Sequence, residues 1–247
     1  MTNAMIMKLE HGAELTAEDR AVLEEATANR RQVGAHEDLI QECEPPGHVN
    51  LILEGFACRY KTLADGRRSI VAFFVPGDFC DLHVAILGQM DHSIGTITPC
   101  TVAAIPRATI EMLIREPRIV RALWWATLVD AAILREWLAS MARRPSDQQL
   151  AHLLCELLLR LRAVGHANGN SYPLPVTQEE LADTLGISAV HVNRMLQQLR
   201  EDGLIVLQGR TLTIPDVDRL MEFADFDPTY LHLKDARTPR PTVRGAA

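Results

Sequence analysis

With 247 residues, 47% of them hydrophobic, the chain is long enough to bury a core, and two cores suit its size better. No run approaches the roughly 18 to 20 apolar residues of a membrane span, and the first residues lack the basic-then-apolar pattern of a secretory signal, so a cytoplasmic location is expected. Five cysteines at irregular positions (43, 58, 80, 100 and 155) argue against a disulfide framework, and a net charge of −7 means that any contact with phosphates must rest on local charges acting within about 10 Å.

Thr16, followed by Glu18 and Asp19 and then Val22 and Leu23, caps a short helix. From about Gln32 to Arg107 the chain becomes a series of short β-type runs, including Val49 to Leu53, Phe56 to Leu63, Ser69 to Val75 and Cys100 to Ile105. Turns at Pro46-Gly47, Asp65-Gly66 and Pro76-Gly77 separate them. Regular strand-and-turn spacing predicts a small barrel or roll over residues 16–115. Pro117 suits the first turn of a long helix reaching Arg143 before Pro145 stops it. Along it Val120, Trp124, Thr127, Ala131, Leu134, Leu138 and Met141 alternate four and three apart, the spacing of a coiled-coil seam, so 116–145 reads as a dimerisation helix. The plainer reading is a stripe packed only on its own domain; Trp125, Leu128 and Trp137 widen the apolar surface enough for the helix to face a twin and the roll together. Ser146 with Gln149 caps another helix to about Arg162, and Gly165 to Pro175 reads as a loop.

Residues 176–210 carry the densest signal. Thr177 and Glu180 form a capping box, starting a helix at about Gln178 with Leu181, Ala182 and Leu185 on one face. Gly186 supplies the left-handed residue that ends it, Ile187 plugs the corner, and Ser188 caps a second helix whose Val192, Met195, Leu196 and Leu199 recur at helical spacing. The opposite face carries Ala189, Val190, His191, Asn193, Arg194 and Gln197, short or hydrogen-bonding side chains on the half that enters a major groove. Leu204 to Leu207 and Thr211 to Ile214 then form a hairpin around Gln208-Gly209-Arg210, its tip holding Arg210. An ordinary helical hairpin with Arg194 as a solvated charge is the bland alternative; the two caps, the glycine turn and the wing favour a winged helix-turn-helix over 146–225. Double-stranded DNA is the partner this implies, with Thr177, Gln178, Ser188 and Arg210 on phosphates.

The order of parts, an α+β arrangement of roll, long helix and winged helix-turn-helix, resembles the Crp/Fnr superfamily of bacterial transcription regulators over roughly residues 16–225. The markers are Ile52-Leu53-Glu54-Gly55-Phe56, Asp65-Gly66-Arg67, Val75-Pro76-Gly77-Asp78-Phe79, Ile105-Pro106-Arg107 and the block from Thr177 to Ile205. The resemblance implies a homodimer in which an effector-sensing, cyclic-nucleotide-binding-type roll controls the spacing of two DNA-reading helices. It also implies that Arg194, at the family's recognition-helix arginine, is the principal base reader, flanked by His191 and Asn193. Val190 stands where the family usually has a base-reading Glu. RNA polymerase is left open as a further partner, its contacts leaving no readable motif.

Departures from the family bear on the effector. Where cyclic-AMP-binding members carry a Glu for the ribose and an Arg-Ser pair for the phosphate, this chain has Leu82, His92 and Ser93. Cyclic AMP is therefore not expected as effector. No cysteine precedes Cys43, so the N-terminal iron-sulfur sensor of the oxygen-sensing branch is not expected either. Cys80, His83 and His92 keep a haem-sensing regulator as an alternative, although a lone Cys-x-x-His is weak support. A cupin-like metal-dependent enzyme on the same roll would need a His-x-His pair, which the sequence lacks, so no enzyme activity, metal or cofactor is expected. From about 226 to 247 periodicity fades and Pro and Arg accumulate (Arg237, Pro239, Arg240, Pro241, Arg244), which reads as a partly disordered C-terminal extension.

Overall fold

The computed structural model describes residues 3–82 and 84–234. His83 and the arginine-rich tail from 235 onward, on which the haem and disordered-tail expectations partly rest, lie outside the described residues. The chain opens with two helices, α1 (Ala4–Leu9) and α2 (Ala17–Ala26). Thr16 caps α2, as the sequence predicts, and does so through a capping box closed by Asp19, whereas no pattern in the sequence announces α1.

The roll follows as β1 (Arg30–Val33), β2 (Asp38–Ile40), β3 (His48–Glu54), β4 (Ala57–Thr62), β5 (Arg68–Phe74), the short helix α3 (Val84–Leu87), β6 (Ser93–Thr96) and β7 (Cys100–Pro106). One sheet has the order β1-β7-β3 and the other β2-β6-β4-β5, with every neighbouring pair antiparallel. Ile52, Val102, Phe74 and Ile94 point inward from both sheets and are buried together, the core that alternating strands produce when two sheets face each other. At the Pro76 to Phe79 turn, Gly77 adopts φ +92°, and a Cβ there would stand 2.7 Å from the Ala4 carbonyl oxygen, so only glycine lets α1 close over the turn.

After α4 (Arg107–Leu113), the long helix α5 (Pro117–Arg143) has Pro117 in its first turn and ends just before Pro145. One stripe, including Ile119, Leu123, Ala126, Val129, Ile133 and Trp137, is buried against the chain's own body. The opposite stripe stays exposed in the protomer, with Trp124 at 67%, Leu128 at 58%, Leu134 at 49%, Leu138 at 70% and Met141 at 52% of their full surface. Trp124, Trp125, Val120 and Leu128 also border a groove of about 490 Å³.

The C-terminal part comprises α6 (Ser146–Ala163), β8 (Ser171–Pro173), α7 (Gln178–Leu185), α8 (Ala189–Glu201), β9 (Val206–Gln208), β10 (Thr211–Thr213), α9 (Val217–Phe223) and a 3-10 turn at Pro228–Leu231. Two local expectations are corrected here. Pro145, not Ser146, holds the N-cap position of α6, where no side-chain cap bond forms, and the Gln149 amide instead donates to the Arg144 carbonyl at 2.8 Å. The segment read as a loop contains β8, whose Tyr172 pairs with Leu212 of β10, giving the sheet order β8-β10-β9. Phe226 and Leu231, in the stretch read as an extension, are buried, and the Tyr230 hydroxyl donates to Glu156 at 2.9 Å.

Roll, long helix and C-terminal unit share one apolar core. Phe73 and Ile97 from the roll, Val129 and Trp137 from α5, Leu154 and Leu158 from α6, and Val192 and Leu196 from α8 belong to the same buried cluster. Buried charges cross the same joint. Arg160 of α6 donates to Asp78 at 2.7 Å, to the Phe73 carbonyl at 2.7 Å and to Glu156 at 2.9 Å, while Lys8 of α1 also pairs with Asp78. Burial disfavours the Asp78 carboxylate, but Lys8 and Arg160 outweigh it and hold its pKa below the usual range.

Candidate nucleic-acid interface

The helix pair forms for local reasons that the structure displays in full. The Thr177 hydroxyl accepts from the Glu180 amide at 3.1 Å, and the Glu180 carboxylate accepts from the Thr177 amide at 2.7 Å. Gly186 ends α7 at φ +68°, the left-handed conformation the turn requires. Ser188 then caps α8 by accepting from the His191 amide at 3.3 Å. Val192, Met195, Leu196 and Leu199 bury one face of α8 and thereby fix the other outward.

On that outer face Val190 is 72% exposed, and Asn193, Arg194 and Gln197 are exposed with it. Residues four apart on a helix share a stripe, so Val190 lies above Arg194 and Asn193 above Gln197. Thr177, Gln178 and Ser188 are exposed at the helix starts, and the Gln178 amide donates to the Asn193 side-chain oxygen at 3.3 Å. Gly209 and Arg210 form the two-residue tip of the wing between Gln208 and Thr211, with Gly209 at φ +60° and Arg210 exposed. The candidate residues are therefore exposed, with two exceptions. Ala189 is half-buried and packs against the core. His191 is also half-buried, and its Nε2 lies 3.1 Å from the Ser146 hydroxyl, a contact with no local sequence signal.

The helix-turn-helix is seated on the roll. Arg68 of β5 donates to Asp183 of α7 at 2.8 Å, and His36 stands 3.8 Å from Glu180. No local pattern announces these pairs, since 115 residues separate Arg68 from Asp183.

In the roll, Arg59 of β4 donates to Asp130 of α5 at 3.0 Å and to the Cys80 carbonyl at 3.0 Å, with its guanidinium 5.1 Å from the centroid of the Phe74 ring. Arg59, Phe74, Phe79, Leu82, Thr127 and Asp130 border a cavity of about 30 Å³, room for little more than a water. His92 is buried, its Nδ1 2.6 Å from the Asp91 carboxylate, and the Ser93 hydroxyl accepts from the Glu42 amide at 2.9 Å. Asp81 is buried and accepts from the Asn50 amide and side chain at 2.7 and 2.9 Å; burial pushes its pKa up to about 6. Burial also pushes the Cys80 thiol well above its usual pKa, which disfavours the thiolate needed as a ligand. Among the described residues no three His, Cys, Asp or Glu side chains converge to hold a metal ion, and no helix is long and apolar enough to cross a membrane.

Residues 30–116 match the cyclic nucleotide-binding domain family, and residues 148–223 match the Crp-like helix-turn-helix domain family. The nitrogen fixation regulation protein FixK of Bradyrhizobium diazoefficiens is 30% identical over 174 residues, 70% of this chain and 72% of that protein. The transcriptional activator protein FnrL of Cereibacter sphaeroides is 29% identical over 222 residues, 87% of this chain and 88% of that protein. The solved structure of FixK2 from Bradyrhizobium japonicum superposes with a TM-score of 0.71 at 26% identity, covering 78% of this chain and 96% of that one.

Proposed function

Because the chain belongs to the Crp/Fnr superfamily of bacterial transcription regulators, we infer that it works in the cytoplasm as a homodimer bound to a pseudo-palindromic operator. The half-site centres would lie about one helical turn, roughly 34 Å, apart. The observation that carries this reading is the outer face of α8, where Val190, Asn193, Arg194 and Gln197 stand exposed on a helix locked from behind by its buried stripe. Arg194 suits the O6 and N7 acceptors of guanine, Asn193 is a second reader, and Val190 favours apolar contact such as a thymine methyl. Thr177, Gln178, Ser188 and Arg210 set register on phosphates. The twin is supplied by the apolar stripe from Trp124 to Met141, which the protomer leaves in water.

The effector is not cyclic AMP on this reading. Leu82 offers no acceptor to a ribose, and a buried His92 beside Asp91 is a poor substitute for an exposed guanidinium facing a phosphate. The protein is read as a regulator without catalytic activity, with RNA polymerase left open as a further partner. Selection of bound DNA from a random pool by the purified protein tests the whole reading. A two-fold-related motif is expected; absence of enrichment, or a single unpaired half-site, would overturn it.

A further inference from the structure

On α8 the two reading stripes, Val190 with Arg194 and Asn193 with Gln197, are exposed at both members. The stripe that carries His191 continues four residues on to Met195, which is only 5% exposed. His191 therefore sits on the flank that faces the protein body. Its Nε2 lies 3.1 Å from the Ser146 hydroxyl, and its backbone amide is held by the Ser188 cap. Ser146 is the first residue of α6, directly after the Arg144-Pro145 break at which α5 ends. Since α6 begins without a side-chain cap bond, the Ser146 hydroxyl is not used in capping.

We propose that His191 reads no base and is instead a positioning residue, tying the first turn of the recognition helix to the residue that follows the inter-domain break. This rests on the reading of α8 as the recognition helix and deepens it. An imidazole whose Nε2 is engaged by Ser146 keeps only Nδ1, the ring nitrogen nearer its own backbone, and cannot extend both nitrogens toward a groove. What the bond supplies is orientation: α8 follows the start of α6, and through Pro145 the end of the long helix. Its loss should weaken binding to every sequence alike, because phosphate register and base contacts shift together.

The test measures binding of the pool-selected DNA site and of its single-base variants to the full-length protein. The proteins compared are the wild type, His191→Ala, Ser146→Ala, the double variant and His191→Gln. A hydrogen bond of ordinary net strength predicts a loss of about threefold per half-site, hence about tenfold for a dimer on two half-sites. His191→Ala and Ser146→Ala should each show that loss on all DNA variants with the ranking of bases unchanged. The double variant should lose no more than either single one. His191→Gln, whose amide reaches the height of Nε2, should restore affinity. Flattened preference at one base position in His191→Ala, with Ser146→Ala unaffected, would make His191 a reader and overturn the proposal; so would two silent single variants. Failure of the underlying reading is distinguishable, because the wild type itself would then enrich no DNA.

Discussion

Replacing Leu138 by Asp separates the two faces of α5. In the protomer Leu138 is 70% exposed, so the substitution removes almost nothing from the folded chain beyond a helix-propensity cost of about 0.5 kcal/mol. In a two-fold seam the same side chain is covered. Full burial of a leucine contributes about 1.5 to 3 kcal/mol, so the part still exposed here contributes about 1.5 kcal/mol per protomer and about 3 kcal/mol per dimer. That alone raises the dimer dissociation constant more than about a hundredfold. Two carboxylates forced into an apolar seam add a desolvation penalty of about several kcal/mol each, so the variant should be monomeric at micromolar concentration. Sedimentation velocity reads the mass, thermal melting checks that the fold survives, and fluorescence anisotropy on the selected DNA reads affinity. The neighbouring Trp137→Asp should instead unfold the chain, because Trp137 is 8% exposed and donates to Glu156 at 2.9 Å. A wild type that sediments as a monomer, or a Leu138→Asp variant that stays dimeric with full DNA affinity, would refute the assignment of this stripe to a twin.

Arg194→Ala should cost about 1 to 3 kcal/mol per half-site and flatten preference at one guanine, while Arg210→Ala should weaken all sequences alike and reduce the salt slope. Competition binding on single-base variants over a salt series checks both, and an unchanged selected motif for Arg194→Ala would end the helix assignment. Cyclic AMP at physiological concentration should give neither calorimetric binding nor tighter operator affinity, since a ligand shifts the dimer only by its differential affinity for two states. His152 provides a pH test. Burial first, and then the Arg144 charge, lower its pKa to about 4 against the partial offset of Glu136 and Asp225, so between that value and about 6.5 the unfolded chain binds a proton that the folded one does not. Its contribution is whole above about pH 6.5 and declines by up to about 3 kcal/mol as pH falls to about 4. Urea melts of His152→Phe, whose ring suits the aromatic contacts with Phe226 and Tyr230, should show a flatter acid slope than the wild type, and an identical slope would refute the linkage.

What the sequence discloses here is what is decided within a few residues. The Thr16 cap, the Thr177 capping box, the Gly186 turn, the wing tip and the limits of α5 at Pro117 and Arg143 each depend on neighbours along the chain, and each stands where the pattern put it. The four-and-three stripe on α5 was equally legible, because a helix converts spacing directly into a face. Features fixed by distant partners were not. β8 is three residues with no alternation long enough to read, and exists because β10 offers it a ladder. α1 is held by Gly77 and by Trp125, whose Cβ lies where a side chain on Gly12 would have to go. Ser146 resembles a cap in sequence, yet its hydroxyl is taken by a histidine 45 residues away. Within the candidate interface, the sequence therefore identified an outward face but could not show which member of it turns back toward the body.

The joint between roll and DNA-binding unit has the same origin and a mechanical consequence. Arg160 and Asp78 are 82 residues apart and almost fully buried, and a charge in that position is tolerated only because it is completely paired. Asp78 belongs to the Pro76 to Phe79 turn of the roll, and its carboxylate also accepts from the Val75 amide at 2.7 Å, so it shapes the turn while it anchors α6. Glu156, one turn before Arg160, takes hydrogen bonds from Trp137 of α5 and from Tyr230 near the C-terminus, which closes the network on the remaining sides. Moving the turn without moving α6 would part Arg160 from Asp78 and leave it with the Glu156 carboxylate of its own helix, a loss bounded by the about 3 to 5 kcal/mol of a fully broken buried pair. The turn and the helix that carries the reading unit are thus constrained to move together. Arg68 with Asp183, a partly exposed pair, adds a second tie between the roll and α7, so ion pairs across the joint act together with the Ser146–His191 contact in orienting α8 on the protomer.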